Sequence, residues 1–316
     1  MTEVFLHDLA YALGDDAFDV EASEAAGRTR SSAKTLRLAG FERHHVCRPA
    51  TTSLDLARRT VEPLRGSLAD TGAIVYATCL PLNGNVGSSA EFERTRDVKH
   101  LMDFPVSRLQ ADLGLDDAVA IGLNQQACTG MLGSARIARA LLHAEPDLER
   151  VLCVTADRFP EGALYEQSYN LISDGGAAWI ASREPRGFRL LACHQITNGA
   201  LSLVSDDESV GTYFNYTHRV IQETLRQAKL DSSDLAWIIP QNMNVKAWQI
   251  LARLLRFAAE RIYFDPLPEV AHVISGDNVI NLLGLDASGR LERGDRILLV
   301  MAGYGLNWQC VLVEKV

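Results

Sequence analysis

The sequence predicts an α/β fold in which sheets are covered by helices on both faces, and three observations carry that prediction. Short β-branched runs alternate with long amphipathic stretches, one of those stretches is apolar around most of its circumference, and a related rhythm returns in the second half of the chain. A strand covered on both faces reads as a continuous apolar run, and a helix apolar on nearly every side belongs in a core.

The elements follow in order. Residues 73–77 (AIVYA), 118–122 (AVAIG) and 150–155 (RVLCVT) are expected strands. Between the last two, Met131, Leu132, Ala135, Ile137, Ala138, Leu141 and Leu142 mark a buried helix over 131–143. In the second half, helices are expected over 216–228, 246–256 and 277–285, and strands over 235–239, 261–264, 295–301 and 308–314. Two α/β units of similar size suggest a structural duplication without a visible sequence repeat. The polar Pro/Gly break at 183–187 divides them into halves 1–182 and 183–316. Residues 81–105, rich in Gly, Asn, Ser and charge, interrupt the first half as a lid or a subunit-contact insertion.

Composition narrows the function. The chain has 316 residues, 47% hydrophobic and 22% charged, which is ordinary for a globular protein and long enough for two core-bearing halves. A net charge of −9 argues against non-specific nucleic-acid binding. The N-terminus lacks the basic and apolar regions of a signal peptide, and no uncharged run approaches membrane-spanning length, so a cytoplasmic protein without a membrane partner is expected. The six cysteines show neither paired nor metal-ligand spacing, so neither a disulfide framework nor a metal site is expected.

Cys128 stands apart from the other five. In GLNQQACTGMLG (122–133) it lies between an expected strand and the start of the buried helix. Unpaired N–H groups and the positive end of the helix dipole stabilise a thiolate there, the form that attacks a thioester carbonyl. The expected chemistry is acyl transfer through a cysteine. Cys47, Cys79, Cys153, Cys193 and Cys310 are expected to be inert buried thiols.

Several segments together resemble one family. SDGGAA (173–178) looks like a "GDGAGA" segment, RGDRILL (293–299) like an "RGD-x-hydrophobic" strand entry, and AGYGLNW (302–308) like a "GGGFTWG" turn. With the Cys128 segment, their order resembles the ketoacyl synthase III branch of the thiolase superfamily over nearly the whole chain. The resemblance implies a thiolase-like five-layered αβαβα fold, a homodimer, and donors that are acyl carrier protein or coenzyme A (CoA) thioesters, with no permanently bound cofactor. It also implies an oxyanion hole formed by the N–H groups of Cys128 and Gly305; a residue without Cβ lets backbone approach a ligand closely.

The departures point to a different outcome for the acyl group. PQNMN (240–244) stands where the family carries "PHQAN", or "PHNxN" in an acyltransferase-like branch, so Gln241 occupies the catalytic-histidine position. An amide cannot shuttle protons near neutral pH. HVISGDN (272–278) resembles the branch pattern "GHxxxxD", which puts Asp277 where decarboxylating synthases use an asparagine. A carboxylate there would repel an enolate but can assist an attacking hydroxyl or amine. A one-residue shift would place Asn278 at that position instead. Asp277 as a helix N-cap is the competing reading. His272 is a candidate replacement base if its ring turns inward, against the reading of a structural histidine. Asn244 is a candidate for orienting water or Gln241, against a helix N-cap. His44 and His45, with Arg43 and Arg48, resemble a phosphate-receiving edge or are solvated surface. Arg94, Arg96, Lys99 and His100 are a candidate contact for an acidic carrier protein or an ordinary charged face. Phe92, Leu101, Met102 and Phe104 either wall an acyl pocket across a dimer interface or form the dimer core.

The reading is an acyltransferase of specialised metabolite biosynthesis that forms acyl-Cys128 and passes the acyl group to a small-molecule alcohol or amine. The rivals are a decarboxylative 3-oxoacyl synthase with a His-less site and a non-catalytic acyl-binding partner subunit.

Overall fold

The computed structural model describes residues 3–167, 170–203, 206–304 and 306–316, with backbone alone over 202–203 and 206–210. β1 (Phe5–Leu13) is followed by a small ribbon, β2 (Asp16–Asp19) with β3 (Arg43–Val46), enclosing the short helices α1 (Val20–Ala25) and α2 (Ala33–Leu38). α3 (Ser53–Val61) starts at a capping box between Thr52 and Asp55 and leads to β4 (Thr71–Ala77). The insertion that follows carries α4 (Ser89–Thr95), and α5 (Pro105–Asp112) then precedes β5 (Val119–Leu123). α6 (Gly130–Ala144), β6 (Arg150–Asp157), a β7 (Glu166–Gln167) and β8 (Asn170–Leu171) hairpin, and β9 (Gly175–Ser182) complete this half. After residues 183–187 come β10 (Phe188–Thr197), α7 (Asp206–Ala228), β11 (Trp237–Ile239), α8 (Val245–Leu255), α9 (Leu267–Val270), α10 (Asp277–Ala287), β12 (Arg296–Gly303) and β13 (Asn307–Lys315).

The strand order is β5-β4-β6-β9-β1 and then β10-β13-β12-β11. β4 runs parallel to β5 and β6, while β9 and β1 run antiparallel. The second set repeats this plan: β12 is parallel to β11 and antiparallel to β13, which is antiparallel to β10. The two sets touch where Phe5 and Leu6 of β1 pair with Arg189 and Phe188 of β10.

Strand alternation sorts side chains into five layers. Val75 and Trp179 from one set, and Leu299 and Val311 from the other, pack around α6 (Met131, Leu132, Ala135, Ala138, Leu142) and α10 (Val279, Leu282, Leu285). Their strand neighbours face outward. Ile74 and Ile180 meet α3 and α5, and Leu298 and Val300 meet α7 and α8. The architecture is the expected αβαβα stack. Burying each large α6 side chain contributes about 1.5–3 kcal/mol, which explains why this helix forms despite glycines at 130 and 133.

Two expectations change. The strand expected at 261–264 reduces to one parallel bridge, Ile262 to Ile238, because a 3-10 turn (Ala259–Arg261) and the start of α9 leave no room for a longer ladder. α7 begins at Asp206, ten residues before the expected 216, because its first turns lack apolar periodicity. In the insertion, Leu82, Val98, Met102 and Phe104 are exposed, as is Val119 on the edge strand β5.

Candidate active site

Two turns bring the site together. The chain leaves β5 and makes a 3-10 turn, Ala127–Thr129, that runs into α6 and presents Cys128. Ala127 heads this turn at φ +47°, a left-handed conformation that costs an L residue roughly 1–3 kcal/mol and is held by its surroundings. Gly303 at the end of β12 supplies part of that hold. A Cβ there would lie 2.7 Å from the Cys128 backbone nitrogen and 3.0 Å from the Ala127 Cβ, so only glycine permits the approach. No side chain caps α6, which leaves its N-terminal end available to a developing oxyanion.

The second turn, Ile274–Gly276, leads into α10. His272 precedes it and Asp277 is the first residue of the helix. His272 Nδ1 lies 2.6 Å from Asp277 Oδ2, and both side chains are buried. The backbone N–H groups of Asn242 and Val273 each donate to the Asp277 carboxylate at 2.7 Å. With Nδ1–H directed at Asp277, Nε2 is the ring nitrogen left for the Cys128 sulfur, and each group shifts the protonation of the other. Gln241 Nε2 also approaches His272 Nε2, at 3.3 Å. Ala302 N–H donates to Gln241 Oε1 at 3.3 Å, so the amide nitrogen is the atom turned to the ring.

Electrostatics follow from this packing. Burial opposes a charged His272 ring, but the Asp277 carboxylate and the Cys128 sulfur outweigh it and push the imidazole up to about 10. The Cys128 thiol is driven down by hydrogen bonds from Cys79 first and His272 second, against the opposing effect of burial. Both shifts run in the direction that favours a thiolate at Cys128 beside a protonated His272. Burial pushes the Cys47 and Cys153 thiols up to about 12 and raises Cys193 and Cys310 as well.

The sequence candidates divide sharply. Cys128, His272, Asp277 and Gln241 come together, and Asp277 does not act as an N-cap, a position held by Gly276. Asn244 caps α8, accepting from Lys246 N–H at 3.1 Å. The Asn278 amide nitrogen donates to the backbone carbonyls of Ile239, Pro240 and Val300. Gly305 lies outside the described residues. The candidate phosphate edge is largely neutralised: His44 is buried between Ser23 and the Ile172 carbonyl, Arg43 pairs with Glu269, and Arg48 pairs with Asp16. Arg94, Arg96 and Lys99 likewise pair with Glu91, Glu93 and Asp97. Cys79 was expected to be inert, yet its Sγ lies 3.7 Å from Cys128 Sγ. Sequence distance hid that contact, since nothing near Cys79 marks it as different from the other thiols.

Known proteins share this fold. Residues 225–315 match the family model described as the 3-oxoacyl-[acyl-carrier-protein] synthase III C terminal. The β-ketoacyl-[acyl-carrier-protein] synthase III of Sphingopyxis alaskensis is 24% identical over 303 residues, covering 87% of this chain and 88% of that protein. The chain is similar to these synthases over most of its length. Its ketoacyl synthase III-like fold superposes on the synthase III of Thermus thermophilus with a TM-score of 0.82 at 19% identity, covering 98% of each chain. It superposes on ChlB3, described as an acyltransferase, with a TM-score of 0.81 at 18% identity, covering 99% of this chain and 98% of that one. Among the described residues, no helix is long and apolar enough to cross a membrane.

Proposed function

We propose that the protein is an acyltransferase that carries its acyl group on Cys128 and delivers it to an alcohol or amine. The observation that carries this reading is the buried His272–Asp277 pair, 2.6 Å apart, beside a Cys128 thiol whose protonation is coupled to the ring. In the first half-reaction the thiolate attacks the carbonyl of an acyl carrier protein or CoA thioester. The tetrahedral oxyanion sits near the Cys128 N–H, with Gly305 as the proposed second donor. Collapse breaks the donor C–S bond, and the leaving thiolate takes the proton from His272 Nε2.

The second half-reaction uses the same ring in reverse. Neutral His272 accepts the proton of the incoming hydroxyl or amine as that atom attacks acyl-Cys128, and collapse returns the cysteine as a thiolate. Asp277 keeps Nδ1 protonated and stabilises the imidazolium without taking its proton. Gln241, fixed by Ala302 N–H, can donate its amide to His272 Nε2 only while that nitrogen is unprotonated, which is its state between the two half-reactions. A carboxylate this close to the site disfavours the enolate of a decarboxylative condensation.

A second copy of the chain is the proposed partner. β5 is an unpaired sheet edge with Val119 exposed, and Met102 and Phe104 of the preceding segment are exposed too, so the first half, 1–182, offers both backbone and apolar surface for a homodimer.

Intact-mass measurement tests the function. A phosphopantetheine thioester is expected to leave an acyl adduct that is absent in Cys128→Ala and discharged by a hydroxyl or amine acceptor. Carbon dioxide release from a malonyl donor, coupled to product, would overturn transfer in favour of condensation. A protein that takes no adduct from any carrier or CoA thioester would be an acyl-binding subunit instead.

A further inference from the structure

The thiol of Cys79 belongs to none of the roles above, although its Sγ lies 3.7 Å from the nucleophilic sulfur. It is not placed there by packing alone. Cys79 follows β4, and its backbone N–H donates to Asp157 Oδ2 at 2.8 Å. Leu80 N–H and Asn83 Nδ2 donate to Asp157 Oδ1 at 3.0 and 2.8 Å. Asp157, at the end of the adjacent strand β6, is 1% exposed. Three donors from one short segment thus converge on one buried carboxylate, and the result is a fixed position for the Cys79 side chain.

We propose that Cys79 is a working member of the site, donating its S–H to the Cys128 sulfur and holding that sulfur as a thiolate until the acyl donor arrives.

The chemistry requires an asymmetric pair, with one thiol that keeps its proton and one that gives it up. The surroundings are arranged that way. Cys128 stands at the start of α6 and meets the Nε2 side of His272, so positive potential reaches it from two directions. Cys79 has no such support: its backbone N–H is held by the Asp157 carboxylate, and its thiol is raised by the bond to Cys128, by burial and by the Asp157 charge. A thiolate at Cys79 would lie beside both an existing thiolate and a carboxylate. Acylation of Cys128 neutralises the sulfur and weakens the S–H contact, so the bond stabilises the resting thiolate and makes the cysteine a better leaving group when the acyl group is discharged.

The inference rests on the reading of Cys128 as the nucleophile, and the test separates the two. The rate of iodoacetamide alkylation at Cys128, assigned by peptide mass spectrometry, is measured from pH 5 to 9 in the parent, Cys79→Ala and Cys79→Ser. In the parent the rate is expected to be near its plateau at neutral pH. Cys79→Ala is expected to move the midpoint up by about one unit, roughly a tenfold loss of rate on the acid side. Cys79→Ser retains a donor and is expected to stay within about threefold of the parent, a rescue that a packing role would not give. Coincident profiles for the parent and Cys79→Ala would overturn the proposal, as would a folded Ser variant as impaired as the Ala variant. A parent Cys128 that alkylates no faster than free cysteine at pH 6 would overturn the nucleophile reading itself, and this proposal with it.

Discussion

Both buried helices begin in the same way, with a 3-10 turn headed by a positive-φ residue: Ala127 at +47° before α6 and Ile274 at +49° before α10. The two turns occupy equivalent places in the two halves, and Ser275 Oγ of one donates to the Ala127 carbonyl of the other at 3.2 Å. They differ in what their backbone donors serve. At α10 the Asp277 carboxylate bonds back to Val273 N–H, so a permanent negative charge is housed there. At α6 no side chain caps the helix, and the sulfur that emerges carries charge only until it is acylated. A duplicated fold thereby supplies two helix N-termini at one point. One stores the charge that orients the base, and the other receives the charge that reaction creates.

Removing the base breaks this division most severely. His272→Ala is expected to lower turnover about 10³-fold, within the range for general acid–base catalysis. Because the α6 terminus still favours the thiolate, acylation should survive better than transfer, so single-turnover mass spectrometry is expected to show acyl-Cys128 accumulating. Equal loss of both half-reactions would mean that the two turns do not divide the work.

The next effect concerns charge shared across the turns. His272, raised to about 10, contributes stability that is full below the ordinary imidazole value of 6.5 and lost as pH rises through about 10. Cys128, lowered, contributes stability present above the ordinary thiol value and lost as pH falls through its own. Between about pH 6.5 and 9 the two contributions cancel in slope, because folding releases one proton from Cys128 and takes up another at His272. The parent should therefore have a nearly flat urea midpoint in that window. Cys128→Ala keeps Asp277 beside the ring and is expected to lose stability steadily as pH rises there. Parallel profiles would show that no charge pair links the turns.

The legibility of these features in the sequence varied with sequence separation and residue size. α6 and α10 were visible because their apolar residues cover most of a circumference, and the His272–Asp277 pair because five residues separate its members. β9 was not read as a strand: Gly175, Gly176, Ala177 and Ala178 resemble a turn motif, and their fully buried ladder exists only because β1 and β6 enclose it. β1 and β10 were missed for lack of a strict alternation. Gln241 occupies the position of the family's histidine, and the fold brings it within 3.3 Å of His272, the proposed base 31 residues away. Asn244 and Asn278 looked chemical because they flank the motifs, and local hydrogen bonding gives both a backbone role.

The smallest expected effect sharpens the comparison most directly, because it touches the joint between the turns and leaves every reacting group in place. Ser275→Ala deletes the hydroxyl that donates to the Ala127 carbonyl. That carbonyl still accepts from Gly130 N–H, so it is not orphaned, and the cost should fall near the common value for one hydrogen bond, about 1 kcal/mol. For a chain of this size the melting midpoint should drop by ~2 °C. Ala127 would keep its left-handed conformation through the close approach of Gly303, so turnover should change by no more than about threefold, a barrier difference under 1 kcal/mol. If turnover instead falls as far as in His272→Ala, the hydroxyl is what holds the sulfur against the ring, and the alignment of the turns limits the reaction more than the chemistry each one carries.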